Sequence, residues 1–184
     1  MGCDIIPNMK TTPWEVNGKN ISDAYIAGFL DGDGSIVTVI EKLGDRRRFP
    51  YRVKLKINFT QHIRHINFMS LLQEALGKVG SIRKVPTHNM AELVIQKRSD
   101  IKIVLERLLP HLVLKQRQAR TMLAMIDIFN RGLVNVRCSL SDKDLEILFA
   151  MAKELRNLNS GAGGKKSYEI INPVTTQVSK SEIG

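Results

Sequence analysis

The chain has 184 residues, a size that fits one domain with tails, and its 28 Lys and Arg against 18 Asp and Glu give a formal net charge of +10. That excess favours a polyanionic partner, either nucleic acid or an anionic membrane surface. The two cysteines, Cys3 and Cys138, exclude a disulfide framework and a zinc knuckle and fit a reducing compartment, and no apolar run approaches a membrane span.

Residues 1–20 read as a polar N-terminal extension. Their start lacks the charged lead and apolar middle of a secretory signal, and Ile6 stands where a myristoylation site wants Ser or Thr. The expected setting is intracellular: cytoplasm, nucleoid, or an organelle with its own genome. Ser22 is a plausible N-cap, with Asp23 in the first turn of a helix running through Leu30. After Gly34, SIVTVIEK is rich in β-branched residues and reads as a strand. A charged tip, LGDRRRFP, leads into RVKLKINFT, which alternates strictly. Val53, Leu55, Ile57 and Phe59 point to one face, and Arg52, Lys54, Lys56, Asn58 and Thr60 to the other.

INFMSLLQEALGKVG has helical spacing, with Ile66, Met69, Leu72 and Leu76 on one stripe and Gly77 or Gly80 ending it. A second hairpin is expected from SIRKVPTHNMAELVIQK, turning at or near Pro86 to Asn89. Three further helices follow: one stopped near Pro110, one closed by Gly132, and one opened by Ser141 with Asp144 in a near-capping box. The tail, residues 160–184, is Gly-rich and basic. The order is αββαββα with additional C-terminal helices, an α+β fold carried by a single domain over residues 21–159.

The junction IAGFLDGDGS places Asp31 and Asp33 at a helix C-terminus, each followed by glycine. A helix end carries about −0.5 of a charge and disfavours carboxylates by roughly 0.3–1 kcal/mol each. Two readings fit: an acidic turn, or oxygen ligands for a hard cation such as Mg²⁺. Ala24, Gly28 and Gly32 recur every fourth residue on the same helix. Such a small-residue face suits either close packing on the chain's own sheet or a second helix. The cationic face of RVKLKINFT, with Arg46, Arg47 and Arg48 at the tip, favours phosphate contact. With aromatics at 5% of the chain and none interleaved on this face, a β-ribbon on duplex DNA fits better than single-strand stacking.

On these residues the sequence resembles the LAGLIDADG homing endonucleases. IAGFLDGDGS matches the signature, with Ile26 where Leu is usual, and LKINFTQ and LLPHLVLKQRQA are similar to two further family segments. The resemblance spans roughly residues 21–167 and implies an antiparallel sheet that forms a DNA-binding saddle. It implies a metal pair in Asp33 and the carbonyl of Gly32, holding Mg²⁺, with Mn²⁺ or Ca²⁺ able to take its place. It also implies an active-site Gln61 and Lys115, with Asp31 structural. Because the signature occurs once, it implies a homodimer joined through Ala24, Gly28 and Gly32 that cuts a long pseudo-palindrome. Where the family has a supporting basic residue, this chain has His65, with Arg64 beside it. Arg83, Glu92, Lys165 and Lys166 match DNA-facing positions. An RNA maturase and a non-cleaving DNA-binding protein of the same fold are the alternatives, and no membrane role is expected.

Overall fold

The computed structural model describes residues 15–16, 19–43, 51–133 and 140–159. Two short strands, β1 (Glu15–Val16) and β2 (Lys19–Asn20), pair antiparallel ahead of the first helix. Only a lead-in was expected there. Two-residue strands carry no alternation, but the Asn-Gly pair between them in sequence is a strong hairpin signal.

Helix α1 (Asp23–Asp33) starts where Ser22 Oγ accepts from the Tyr25 amide at 3.2 Å. It buries Ile26, Ala27 and Leu30. It runs three residues past Leu30, so both carboxylates lie in its last turn rather than beyond it. Strand β3 (Gly34–Lys42) follows with no loop. A Cβ on Gly34 would lie 2.5 Å from Leu30 Cδ1 and 2.7 Å from the Leu30 carbonyl oxygen, so this abrupt turn requires glycine.

Strand β4 (Tyr51–His62) pairs antiparallel with β3, Gly34 opposite Phe59 and Glu41 opposite Arg52. Helix α2 (Ile66–Ala75) buries Met69, Leu72 and Ala75, and Gly77 follows at φ 84°. Strands β5 (Ser81–Val85) and β6 (Met90–Ile95) form the second hairpin, with Asn89 left-handed at its turn. The sheet order is β3-β4-β6-β5. Helices α3 (Arg98–Leu108), α4 (Gln116–Leu133) and α5 (Asp142–Asn159) follow and are the last of the described elements. The α5 start is a reciprocal cap, the Asp144 amide donating to Ser141 Oγ at 3.1 Å and the Ser141 amide to Asp144 Oδ2 at 3.2 Å. Among the described residues, no helix is long and apolar enough to cross a membrane.

One sheet face carries Ile36, Leu55, Ile57, Phe59, Leu93 and Ile95, all buried against the helices. Phe29 of α1 stacks on Phe59 at 5.8 Å, which seats the helix on the sheet. Arg107 of α3 donates to Asp23 at 2.8 Å and to the Ala75 carbonyl at 2.7 Å, tying three helices together. Among the described residues the other sheet face has no helix on it, in keeping with the alternation of β4.

Candidate active site

The last turn of α1 treats its two carboxylates in opposite ways. Asp31 is buried and accepts three backbone N–H groups: Val113 at 2.7 Å, Leu114 at 3.1 Å and Lys115 at 2.9 Å. These amides lead directly into α4, so the carboxylate sits at a positive helix end and is stabilised there. The Lys115 ammonium donates to the Asp31 carbonyl oxygen, one of the terminal carbonyls that the helix itself leaves unpaired. The cation that the negative end of α1 wants therefore comes from a segment 84 residues away. Burial lowers the Lys115 pKa, while Asp31 and Asp33 pull it back up.

Asp33 is exposed. Its Oδ2 faces Gln61 Nε2 at 3.4 Å, while Gln61 Oε1 accepts from the His62 amide at 2.9 Å. Gln61 stands two residues beyond Phe59 on the helix-facing side of β4, which brings its amide to the end of α1. Asp33, Gln61 and Lys115 thus come from three segments and meet at one helix end. His65 and Arg64 occupy the turn between β4 and α2, where Arg64 Nε donates to His65 Nε2 at 3.0 Å. Both are exposed and bound to each other.

Among the described residues no three His, Cys, Asp or Glu side chains could hold a metal together. One exposed carboxylate beside terminal helix carbonyls fits a hard cation that keeps water and takes phosphate oxygens, as Mg²⁺ does. The donor set has no nitrogen or sulfur, which a structural zinc site would need. Gly32, whose carbonyl would join Asp33, lies in the same turn.

The small-residue face of α1 is open. Ala24, Gly28 and Gly32 are exposed, and a Cβ added at Gly28 or Gly32 meets nothing within 4 Å. The chain's own sheet therefore does not use it. Tyr25, 56% exposed, flanks this face, and Val113 and Leu114 stand out at its far end at 80% and 72%.

The helix-free sheet face holds Arg52, Lys54, Lys56, Asn58 and Thr60 of β4, together with Arg83 and Glu92. It is not purely cationic. Glu41, opposite Arg52 on β3, accepts from Arg52 Nη2 at 2.5 Å and from Lys54 Nζ at 3.0 Å. Glu92 likewise accepts from Arg83 Nε at 2.6 Å. The cationic face read from β4 alone thus gains an unexpected acid, Glu41, because a face is set by neighbours across the ladder. Asn58 is buried rather than projecting; in the amide orientation that satisfies its neighbours it accepts from Lys56 Nζ at 2.9 Å. Burial also lowers the Lys56 pKa, aided by the charge of Arg83 and opposed by Glu92. Thr60 pairs with Glu92 across the ladder. The expected contacts from Arg46, Arg47, Arg48, Lys165 and Lys166 lie outside the described residues.

Residues 26–112 match the family model for the LAGLIDADG endonuclease. DNA endonuclease I-CreI of Chlamydomonas reinhardtii is 28% identical over 158 residues, covering 86% of this chain and 91% of that one. DNA endonuclease I-CvuI of Chlorella vulgaris is 33% identical over 104 residues, 56% of this chain and 62% of its own. The solved structure of I-CvuI in complex with the I-CreI target, in the presence of Mg, superposes with a TM-score of 0.72 at 25% identity. That match covers 86% of this chain and 92% of that one. An archaeal intron-encoded homing endonuclease, I-Vdi141I complexed with DNA, shares the fold at a TM-score of 0.67 and 21% identity, over 88% of this chain and 97% of that one. The signature segment forms the helix that carries the carboxylates, beside a sheet of order β3-β4-β6-β5, and residues 26–112 form a LAGLIDADG endonuclease domain.

Proposed function

We propose that this protein is a site-specific DNA endonuclease which, as a homodimer, makes a double-strand break in a long pseudo-palindromic duplex with a divalent cation, Mg²⁺ foremost. The observation that carries this reading is the exposed Asp33 carboxylate beside Gln61 and Lys115, at the end of a helix with an open small-residue face. Pairing two such helices about a two-fold axis brings two Asp33 carboxylates together, and a palindromic target mirrors that axis.

Asp33 and the Gly32 carbonyl would hold the cation. When bound, the cation polarises the scissile phosphate and makes an attacking water easier to ionise. Gln61, its carbonyl oxygen fixed by the His62 amide, turns its NH₂ toward Asp33 and orients water there. Lys115 keeps a positive charge at the helix end and stabilises the anionic transition state. The outer sheet face supplies Arg52, Lys54, Lys56 and Arg83 for phosphates and base edges in the major groove.

Cleavage selection on a randomised duplex pool, with Mg²⁺ or chelator and with the natural chain or Asp33→Asn, tests the reading. A long pseudo-palindrome cut only by the natural chain with metal is the expected result. A site selected and bound but never cut would leave a DNA-binding protein. Selection of no duplex at all would move the search to RNA.

A further inference from the structure

Glu41 is an acid on a surface that must approach a polyanion. It has no part in cation binding at the helix end, since β3 carries it to the opposite end of the strand from Gly34. A carboxylate there costs affinity for DNA unless it contributes something else. Its contacts show what that is. Oε2 receives both Arg52 Nε, at 3.1 Å, and Arg52 Nη2, at 2.5 Å. Oε1 receives Lys54 Nζ at 3.0 Å. One carboxylate thus holds two cations from alternate positions of β4, both on the helix-free face.

The geometry fixes the orientation of the guanidinium. With Nε and one Nη2 hydrogen committed to Glu41, the remaining N–H groups of Arg52, those on Nη1 among them, are presented as a unit. An arginine held this way loses little rotamer freedom on meeting a base edge. A free one follows the nearest phosphate. The two cations and one carboxylate also carry a net charge of only one, which weakens attraction to any DNA regardless of sequence. Both effects raise discrimination at the expense of general affinity.

We propose that Glu41 is a specificity-determining positioning residue, which orients Arg52 and Lys54 for base readout and suppresses non-specific phosphate binding. Glu92 and Arg83 repeat the arrangement on the other half of the sheet, with Glu92 Oε2 taking Arg83 Nε at 2.6 Å and Nη2 at 2.5 Å. The proposal rests on duplex DNA being the partner.

The test compares the full-length natural chain and Glu41→Gln for binding to the selected target duplex and to a scrambled duplex of equal length. Ca²⁺ replaces Mg²⁺, and binding is followed over a salt series. Glu41→Gln is expected to bind the scrambled duplex several-fold more tightly, with a log–log salt slope steeper by up to about 0.9 per protomer. The target-to-scrambled ratio should fall about tenfold, with relaxed selection confined to the base pairs under Arg52 and Lys54. A second comparison repeats the substitution in an Arg52→Ala, Lys54→Ala background, where its effect on the ratio should vanish. An unchanged ratio and slope would overturn the proposal and leave an ordinary surface ion pair. Equal weakening on both duplexes would overturn it too, since a general structural role predicts that result. If the natural chain prefers no duplex, the DNA reading itself fails, an outcome the natural chain alone reveals.

Discussion

The two ends of the β3–β4 ladder are built by different means. At the Gly34–Phe59 end, a buried carboxylate, three backbone amides and a close glycine leave one arrangement of the last turn of α1. At the Glu41–Arg52 end, exposed side chains meet across the strands, with Arg52 and Glu41 side chains 53% and 38% accessible. Buried hydrogen bonds to a charged group are worth far more than exposed ion pairs. The first end therefore suits chemistry, which tolerates little misplacement, and the second suits readout, which must adapt to a target.

Substitutions can separate these ends. The largest effect is expected at Asp33: Asp33→Asn should lower the cleavage rate at least about a thousandfold, roughly 4 kcal/mol of barrier. Binding to the target in Ca²⁺ and the melting temperature should both stay near natural values. If cleavage persists, the cation is not held here.

Asp31→Ala inverts that pattern. Three amides before α4 lose their acceptor at once, so a destabilisation of about 3 kcal/mol is expected in urea unfolding. A loss below about 1 kcal/mol would mean that water replaces the carboxylate and that this end is no more rigid than the other.

Gly28→Leu comes next. A Cβ at Gly28 meets nothing within 4 Å among the described residues, and the change removes glycine's low helix propensity. Monomer stability should hold or rise slightly, while the dissociation constant of the proposed dimer rises about tenfold or more by sedimentation analysis. An unchanged association would place the interface elsewhere.

The smallest effect is in pH. Burial sets the Lys115 pKa below its ordinary 10.5, so the folded protein loses this proton before the unfolded chain does. Between the two values the unfolded chain binds more protons, and the Lys115 contribution to stability rises with pH through that window. Cleavage should run the other way, declining there as the ammonium is lost. Lys115→Arg keeps the charge and should flatten that alkaline decline, measured as single-turnover rate against pH.

Much of the fold was legible because alternation and helical spacing are local. Ser22, the stripe of α2, the hairpin at Asn89 and the Ser141–Asp144 cap all behave as their patterns predict. The end of α1 was misjudged because Asp and Gly are turn formers. The last turn stays helical through bonds to residues 113–115, which no local pattern contains. The meeting of Gln61 and Lys115 with Asp33 was expected from family resemblance, since spacing alone cannot join segments so far apart in sequence. Glu41 was missed for a related reason. A strand's own alternation gives its two faces but not its neighbour's register, and register puts this acid among the cations.

The clamp between Asp31 and residues 113–115 also orders events during synthesis. At roughly 5–20 residues per second, the ribosome releases the signature helix well before the lysine that completes its end. A nascent or prematurely terminated chain that ends between Ile95 and Leu112 carries Asp33 and the whole sheet but no Lys115. Such a fragment presents the sheet without the ammonium that caps the end of α1 in the whole chain. The site proposed for cleavage is then complete only once a late, long-range contact has formed.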